Sequence, residues 1–365
     1  MTTQPRNGHP YHMHDAIVRQ PAKVGVLLSD PNGQVKEAAE QTLSRERIHL
    51  VGIGTSWHAA LIGEFWMRNA GGWHNRVQAW NSFEFAHYTP PLGPSDAVII
   101  ITHSGAKGSS LQALDIAKKR GAFTVCMSST QAEPTVEAAD LVLRTCEREK
   151  SSAFTISYTS ALAVLALLSV ELGRASDKKE ASSLKAELDA IPEAMQAALG
   201  LEPEIKRLAH RYAGSSRFYF AGWGGNAATA YEVALKMKEA SYTITEGFQL
   251  EQLLHGPFLS SDPKTLLTLI APPGPGRQRA AEIAQAFSTI GAPVLALSAE
   301  GDETLSKLAS DRLSMPPTPD LWSPLTYIVP LQMFTYYVAL AKGKNPDVFR
   351  RDDPLYAEAR RRISL

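Results

Sequence analysis

Two stretches of this chain, RIHLVGIGTSWHAA from Arg47 and RFYFAGWGGNAATA from Arg217, carry one pattern 170 positions apart: Arg, four mostly apolar residues, Gly, one apolar residue, Gly. At the same offset the loop ITHSGAK, ending at Lys107, meets APPGPGR, ending at Arg277, and Gly121 meets Gly291. Self-similarity at a long, fixed period marks duplicated supersecondary units. The chain is therefore expected to contain two copies of one domain.

Within each copy, continuous apolar runs (DAVIIIT, FTVCMSS, LLTLIAP, PVLALSA) alternate with helical stretches. Strands with no polar face belong to parallel sheets covered on both sides by crossover helices. The expected fold is α/β, with two tandem doubly wound parallel-sheet domains. The boundaries read from the repeat are an N-terminal helical segment over 1–45, a first domain over 46–175, a helical linker over 176–203, a second domain over 204–345 and a tail over 346–365. The 365-residue length agrees with two domains at roughly 150 residues each.

Lys plus Arg equals Asp plus Glu at 37 each, so no net field draws the chain to nucleic acid or an acidic membrane. Cys126 and Cys146 have neither a partner at disulfide spacing nor a metal-ligand spacing, which reads as reduced thiols of a cytoplasmic protein. The apolar stretches ALAVLALLSV and LTYIVPLQMFTYYVALA read as core helices too short for a membrane span, and no secretory signal pattern opens the chain. His9, His12 and His14 lack a third ligand and read as terminal or surface residues rather than a metal site.

The polar residues gather in two loops of the first copy. GIGTSWHAA and THSGAKGSS follow strands and open helices, where backbone N–H groups are unpartnered and the helix dipole is positive. Anions bind at such ends, and Gly54, Thr55, Ser56, Thr102, Ser104 and Lys107 stand there. Such residues often do no more than cap a helix. The second copy keeps the turns as GWGGNAATA and PPGPGRQ but has almost no hydroxyls, so an anion site is expected in the first copy alone. A dinucleotide fingerprint is excluded, because Trp57 and Ala227 occupy the third glycine position.

In the second copy Glu232, Lys236 and Glu239 fall on one helical stripe beside Val233, Met237 and Ala240. Spacing alone favours a solvated salt-bridge ladder, and His255 before Gly-Pro reads equally as a loop histidine.

Taken together, GTSWHAA, THSGAKGSS, ALKMKEASY with EGFQLEQLLHGP, and VPLQMFTYYVALAKGKNPD resemble the tandem sugar-isomerase (SIS) domain family. That family includes the isomerase half of glucosamine-6-phosphate synthase, amino-sugar-phosphate deaminases and fructosamine-phosphate deglycases. The resemblance runs over roughly residues 10 to 347 and does not extend to a glutaminase domain.

It implies an aldose-ketose isomerase or amino-sugar-phosphate deaminase acting on a hexose 6-phosphate or amino analogue, without metal or other cofactor. The alternatives are a deglycase or a non-catalytic sugar-phosphate-binding regulator. Glu239 would move a proton between C1 and C2, and Lys236 would stand near the C2 oxygen. His255 would open the ring from the neighbouring subunit of a homodimer. Gly54, Thr55, Ser56, Thr102, His103 and Ser104 would hold the phosphate, with Glu149 and Ser152 at the following helix start.

Lys107 and Ala106 depart from the family's loop, as does the Arg360–Arg362 run in the tail. If Lys107 answers phosphate charge, Lys107→Ala should weaken phosphorylated ligands more than their dephosphorylated forms in a calorimetric titration. Equal weakening of both would contradict that role.

Overall fold

A computed structural model describes residues 6–106 and 108–363, so Lys107 lies outside the described residues. The chain divides into two compact units, each discontinuous in sequence. The first comprises Ala22–Glu149, Ile156–Ala190 and Arg350–Leu365; the second comprises Met1–Pro21, Lys150–Thr155 and Ile191–Phe349. This division differs from the contiguous boundaries of the repeat, because both the N-terminal helix His12–Val18 and the short segment 150–155 join the second unit.

The first unit holds the strands β1 (Arg47–Gly52), β2 (Val77–Asn81), β3 (Asp96–Ile101), β4 (Phe123–Ser128) and β5 (Leu141–Arg144), all parallel, in the order β2-β1-β3-β4-β5. The second unit holds β6 (Arg217–Gly222), β7 (Thr245–Gln249), β8 (Thr265–Ala271), β9 (Val294–Ala299) and β10 (Asp311–Met315), in the order β10-β9-β8-β6-β7. Read from the other edge, that is the same order, and every pairing is again parallel. The duplication reaches single dihedrals: Gly54 has φ 56° and ψ −127°, and Gly224 has φ 52° and ψ −131°. Both turns need glycine, since a side chain resists that region of positive φ.

β3, β4 and β8 are buried along their whole length, as expected of strands covered on two faces. In the first unit the helix Ile156–Ala175 packs against the helices Gln34–Leu43 and Thr55–Asn69. Its 20 residues are long and apolar enough to cross a membrane, which corrects the shorter reading from ALAVLALLSV. The most apolar stretch of this helix is nonetheless wholly buried inside the protein, so it serves as a core helix. The helix Ser323–Ala341 does the same in the second unit, buried almost throughout, with Pro330 in its interior.

Of the three N-terminal histidines His9 is exposed, whereas His12 and His14 are half-buried. In the second unit His14 Nε2 lies 2.7 Å from Glu202 Oε1 with 14% of its side chain exposed, and His9 Nδ1 shares a 2.8 Å hydrogen bond with the Tyr336 hydroxyl. The N–H groups of His12 and Met13 donate to the Asp347 carboxylate at 2.9 Å each, which caps the helix His12–Val18. Terminal position in the sequence was a poor guide because the segment docks on the helix Ser323–Ala341.

Leu165 is fully buried in the helix Ile156–Ala175. Leu165→Ala should cost about 2–5 kcal/mol in urea denaturation. A loss under ~1 kcal/mol would mean that this face is not packed core.

Candidate active site

In the order β2-β1-β3 the chain reverses direction across the sheet between β1 and β3. In an open parallel sheet, ligands bind in the crevice outside the strand ends at that point. Both hydroxyl-rich loops of the first unit lie there: Ile53–Gly54 leads from β1 into the helix Thr55–Asn69, and residues 102–108 lead from β3 into the helix Ser109–Lys119. Neither helix start is capped by its N-cap side chain.

The β3 loop is held from behind. The N–H of Ser129 donates to His103 O (3.0 Å), the N–H of Glu133 to Ser104 O (2.9 Å), and Thr135 Oγ1 to Gly105 O (2.7 Å). Three successive carbonyls are thus engaged by the segment after β4. The Ser104 hydroxyl accepts from Ala106 N–H at 3.2 Å. A third element joins these two: Ser82, the first residue of the helix Ser82–His87 after β2, shares a 2.9 Å hydrogen bond with Ser110, and both are buried. The sequence reading missed Ser82, although Asn81-Ser82 after an apolar run is a helix-start signal, and the Asn81 side chain does accept from Phe83 N–H.

His103 Nε2 accepts from Glu149 N–H at 3.4 Å. Burial, reinforced by the charge of Arg148, pushes the His103 ring down to about 4, so it is neutral at pH 7. Glu149 Oε1 accepts from Ser157 N–H (2.8 Å) and from Ser157 Oγ (2.6 Å), which sets its carboxylate at the N-terminus of the helix Ile156–Ala175. Ser152 falls in the second unit, where its N–H donates to Asp347 O at 3.0 Å.

The second unit carries the acid/base residues on the helix Gly225–Ser241, which packs on the helix Ser323–Ala341 and on β7. Glu232 is 0% and Lys236 1% exposed, and Glu239 keeps only 19% of its side chain in solvent. Lys236 Nζ stands 3.5 Å from Glu232 Oε1 and bonds Glu239 Oε2 directly. The solvated ladder favoured by spacing alone is therefore wrong. Buried charge is tolerated only when paired, and here one ammonium lies between two carboxyl groups. His255 sits on a separate turn, 69% exposed, with its Nε2 3.4 Å from Glu251 Oε1. Glu251 in turn receives two bonds from Arg279, at 2.7 and 2.8 Å. The fold thus joins Lys236 with Glu239 and sets His255 with Glu251.

The reversal point of the second unit, between β6 and β8, is filled from within. Trp223 stands where the first copy has Ile53; Ile53 is 51% exposed, whereas Trp223 is 7% exposed. A Cβ on Gly276 would meet the Trp223 ring at 2.4 Å, and one on Gly274 would meet the Asp320 carboxylate at 2.8 Å. Burial pushes Asp320 above the usual carboxylate range. Arg277, the counterpart of Lys107, is bound by Asp302 at 2.8 Å.

Cys126 and Cys146 are buried and free, and burial raises their thiols to about 12 and about 11, so neither serves as a nucleophile near neutral pH. Among the described residues no group of three or more His, Cys, Asp or Glu is arranged to hold a metal.

Comparison with known proteins agrees with this architecture. A model of the SIS domain matches twice, at residues 43–170 and 212–342, together more than half of the chain. The glutamine-fructose-6-phosphate aminotransferase (isomerizing) of Methanothermobacter thermautotrophicus is 32% identical over 343 residues, 94% of this chain and 56% of that protein. The chain thus spans a little over half the length of the curated relatives it matches. The C-terminal domain of glucosamine-fructose-6-phosphate aminotransferase from Francisella tularensis superposes with a TM-score of 0.86 at 21% identity, covering 94% of this chain and 99% of that one. Tagatose-6-phosphate ketose/aldose isomerase from Escherichia coli gives 0.79 at 20% identity, covering 95% and 97%. At these identities the superpositions establish the shared fold.

Because the His103 ring titrates lower in the folded protein than its ordinary value of 6.5, the unfolded chain binds more protons between about 4 and 6.5. Its contribution to stability is present above pH 6.5 and is lost as pH falls towards 4, by at most about 3 kcal/mol. Urea denaturation at pH 7 and pH 4.5 should show a smaller acid loss in His103→Gln than in the parent, and identical losses would contradict the assignment.

Proposed function

The chain belongs to the SIS-domain family, and on that premise we propose that it is a phosphosugar aldose-ketose isomerase or amino-sugar-phosphate deaminase acting on a hexose 6-phosphate or its amino analogue. The observation that carries this reading is the buried Glu232–Lys236–Glu239 set. A paired ammonium and carboxylate sequestered from water are what proton transfer beside a carbonyl or imine requires.

In this reading Glu239 takes the proton from the carbon next to the carbonyl, giving an enediol or enolamine, and returns it to the neighbouring carbon. Lys236 stabilises the charge developing on oxygen. Glu232, which the sequence reading noted but did not include in the site, holds Lys236 from its other side. A carboxylate there also orients the ammonium. The first unit binds the phosphate through its Gly54–Ser56 and Thr102–Ser104 loops.

His255 opens the sugar ring, supplied by a second copy of the chain in a homodimer; its exposure suits a residue that acts on a neighbour. The reading places the reaction in the cytoplasm, where two buried free thiols stay reduced.

The deciding experiment incubates the protein with fructose 6-phosphate, glucosamine 6-phosphate and a fructosamine 6-phosphate while following ammonia, amine and sugar products. Turnover of fructose 6-phosphate or glucosamine 6-phosphate supports the proposal, turnover of the fructosamine 6-phosphate alone would replace it with a deglycase, and binding of a broad panel without turnover would replace it with a sugar-phosphate sensor. Glu239→Gln should slow proton exchange at C1 and C2 by roughly 100- to 10,000-fold while leaving phosphate binding intact. Unchanged exchange in that variant would remove Glu239 from the role.

A further inference from the structure

We propose that Arg148 is the cation that answers the ligand's phosphate in the first unit, and so selects phosphorylated over neutral sugars. This rests on the reading that the first unit binds a sugar phosphate. A phosphate monoester carries close to two negative charges at pH 7. The β1 and β3 loops of the described structure offer hydroxyls and backbone N–H groups, with a histidine that is neutral.

The segment after β5 carries a full charge and runs beside the β3 loop, bonded to β4 and to the segment that follows it before it reaches His103. The N–H of Thr145 donates to Ser128 O (2.8 Å) and that of Thr130 to Cys146 O (3.0 Å). The N–H of Arg148 donates to Gln131 Oε1 (3.3 Å), and the next N–H, of Glu149, donates to His103 Nε2 (3.4 Å). Gln131 belongs to the same post-β4 segment that engages the carbonyls of His103 and Ser104. Arg148 is therefore pinned on both sides to groups that shape the β3 loop, while its own side chain is exposed.

Two contrasts single it out. Arg144, one turn of strand earlier, is already used: it donates to Ser128 Oγ (3.0 Å) and Ser129 O (2.8 Å) and pairs with Glu137. The Arg148 guanidinium makes no ion pair among the described residues. The duplicate supplies the second contrast, because at the 170-residue offset Arg148 corresponds to Thr318. The copy that lacks hydroxyls and has its crevice filled by Trp223 also lacks this cation. Cation and cradle occur together and are missing together. The lowered His103 titration, to which Arg148 contributes, agrees with a positive charge close to the β3 loop.

A guanidinium meets phosphate oxygens with two parallel N–H bonds, which an ammonium cannot reproduce. In the full-length protein, titration calorimetry with inorganic phosphate and the three hexose 6-phosphates above should show Arg148→Ala weakening each ligand that the parent binds by roughly 10- to 100-fold. Arg148→Lys should recover part of the loss, and melting temperatures without ligand should not change. Equal affinity of Arg148→Ala and the parent overturns the inference and leaves the phosphate reading standing. A loss shared equally by Arg148→Lys and accompanied by a lower ligand-free melting temperature also overturns it, as a structural effect. If the parent binds none of these ligands, the reading beneath the inference fails first.

Discussion

A parallel sheet covered by helices on both faces leaves its free backbone donors at one place: the edge where every strand ends and the next helix begins. All ten strands among the described residues obey that constraint, because each sheet is wholly parallel. Its physical basis is that buried strand backbone is satisfied within the ladder, whereas the first turn of each helix presents unpaired N–H groups at the positive end of a dipole. The order β2-β1-β3 then opens a crevice between two such ends. The crevice of each unit follows from topology, and side chains decide whether it stays open.

The two copies share this frame and use it differently. In the first, a small exposed Ile53 leaves the crevice accessible to Thr55, Ser56 and the β3 loop. In the second, Trp223 and Asp320 fill the space against Gly276 and Gly274, and Arg277 is bound internally by Asp302. The second copy instead buries charge in its helix Gly225–Ser241. Burying Lys236 is costly by itself, and two flanking carboxyl groups offset that cost. Such an arrangement contributes little to stability compared with a well-packed apolar set.

Much of this was legible from residue order. The repeat and the strand pattern were read directly, as were the loops at Gly54 and Thr102 and the spacing of Glu232, Lys236 and Glu239. Spacing misled where environment decides the meaning. A stripe of charges at i, i+4 and i+7 looks the same whether it faces water or another helix, and the helix Ser323–Ala341, some 90 residues away, made the difference. His14 was misjudged for the same reason, since Glu202 lies far along the chain. Arg148 drew no attention because nothing local distinguishes it from any exposed arginine.

The sequence by itself determined what depends on neighbours in the chain: strand and helix periods, the turns that demand glycine, and the 170-residue register linking the copies. These are set by backbone sterics and by patterning over a few residues, so they survive without knowledge of the fold. Tertiary structure alone decided which polar groups are dry, which are paired and which stand beside one another. Burial of Lys236, closure of one crevice by Trp223 and the bond from Arg148 N–H to Gln131 all depend on distant segments meeting, and the electrostatic worth of each group changes with the water removed around it.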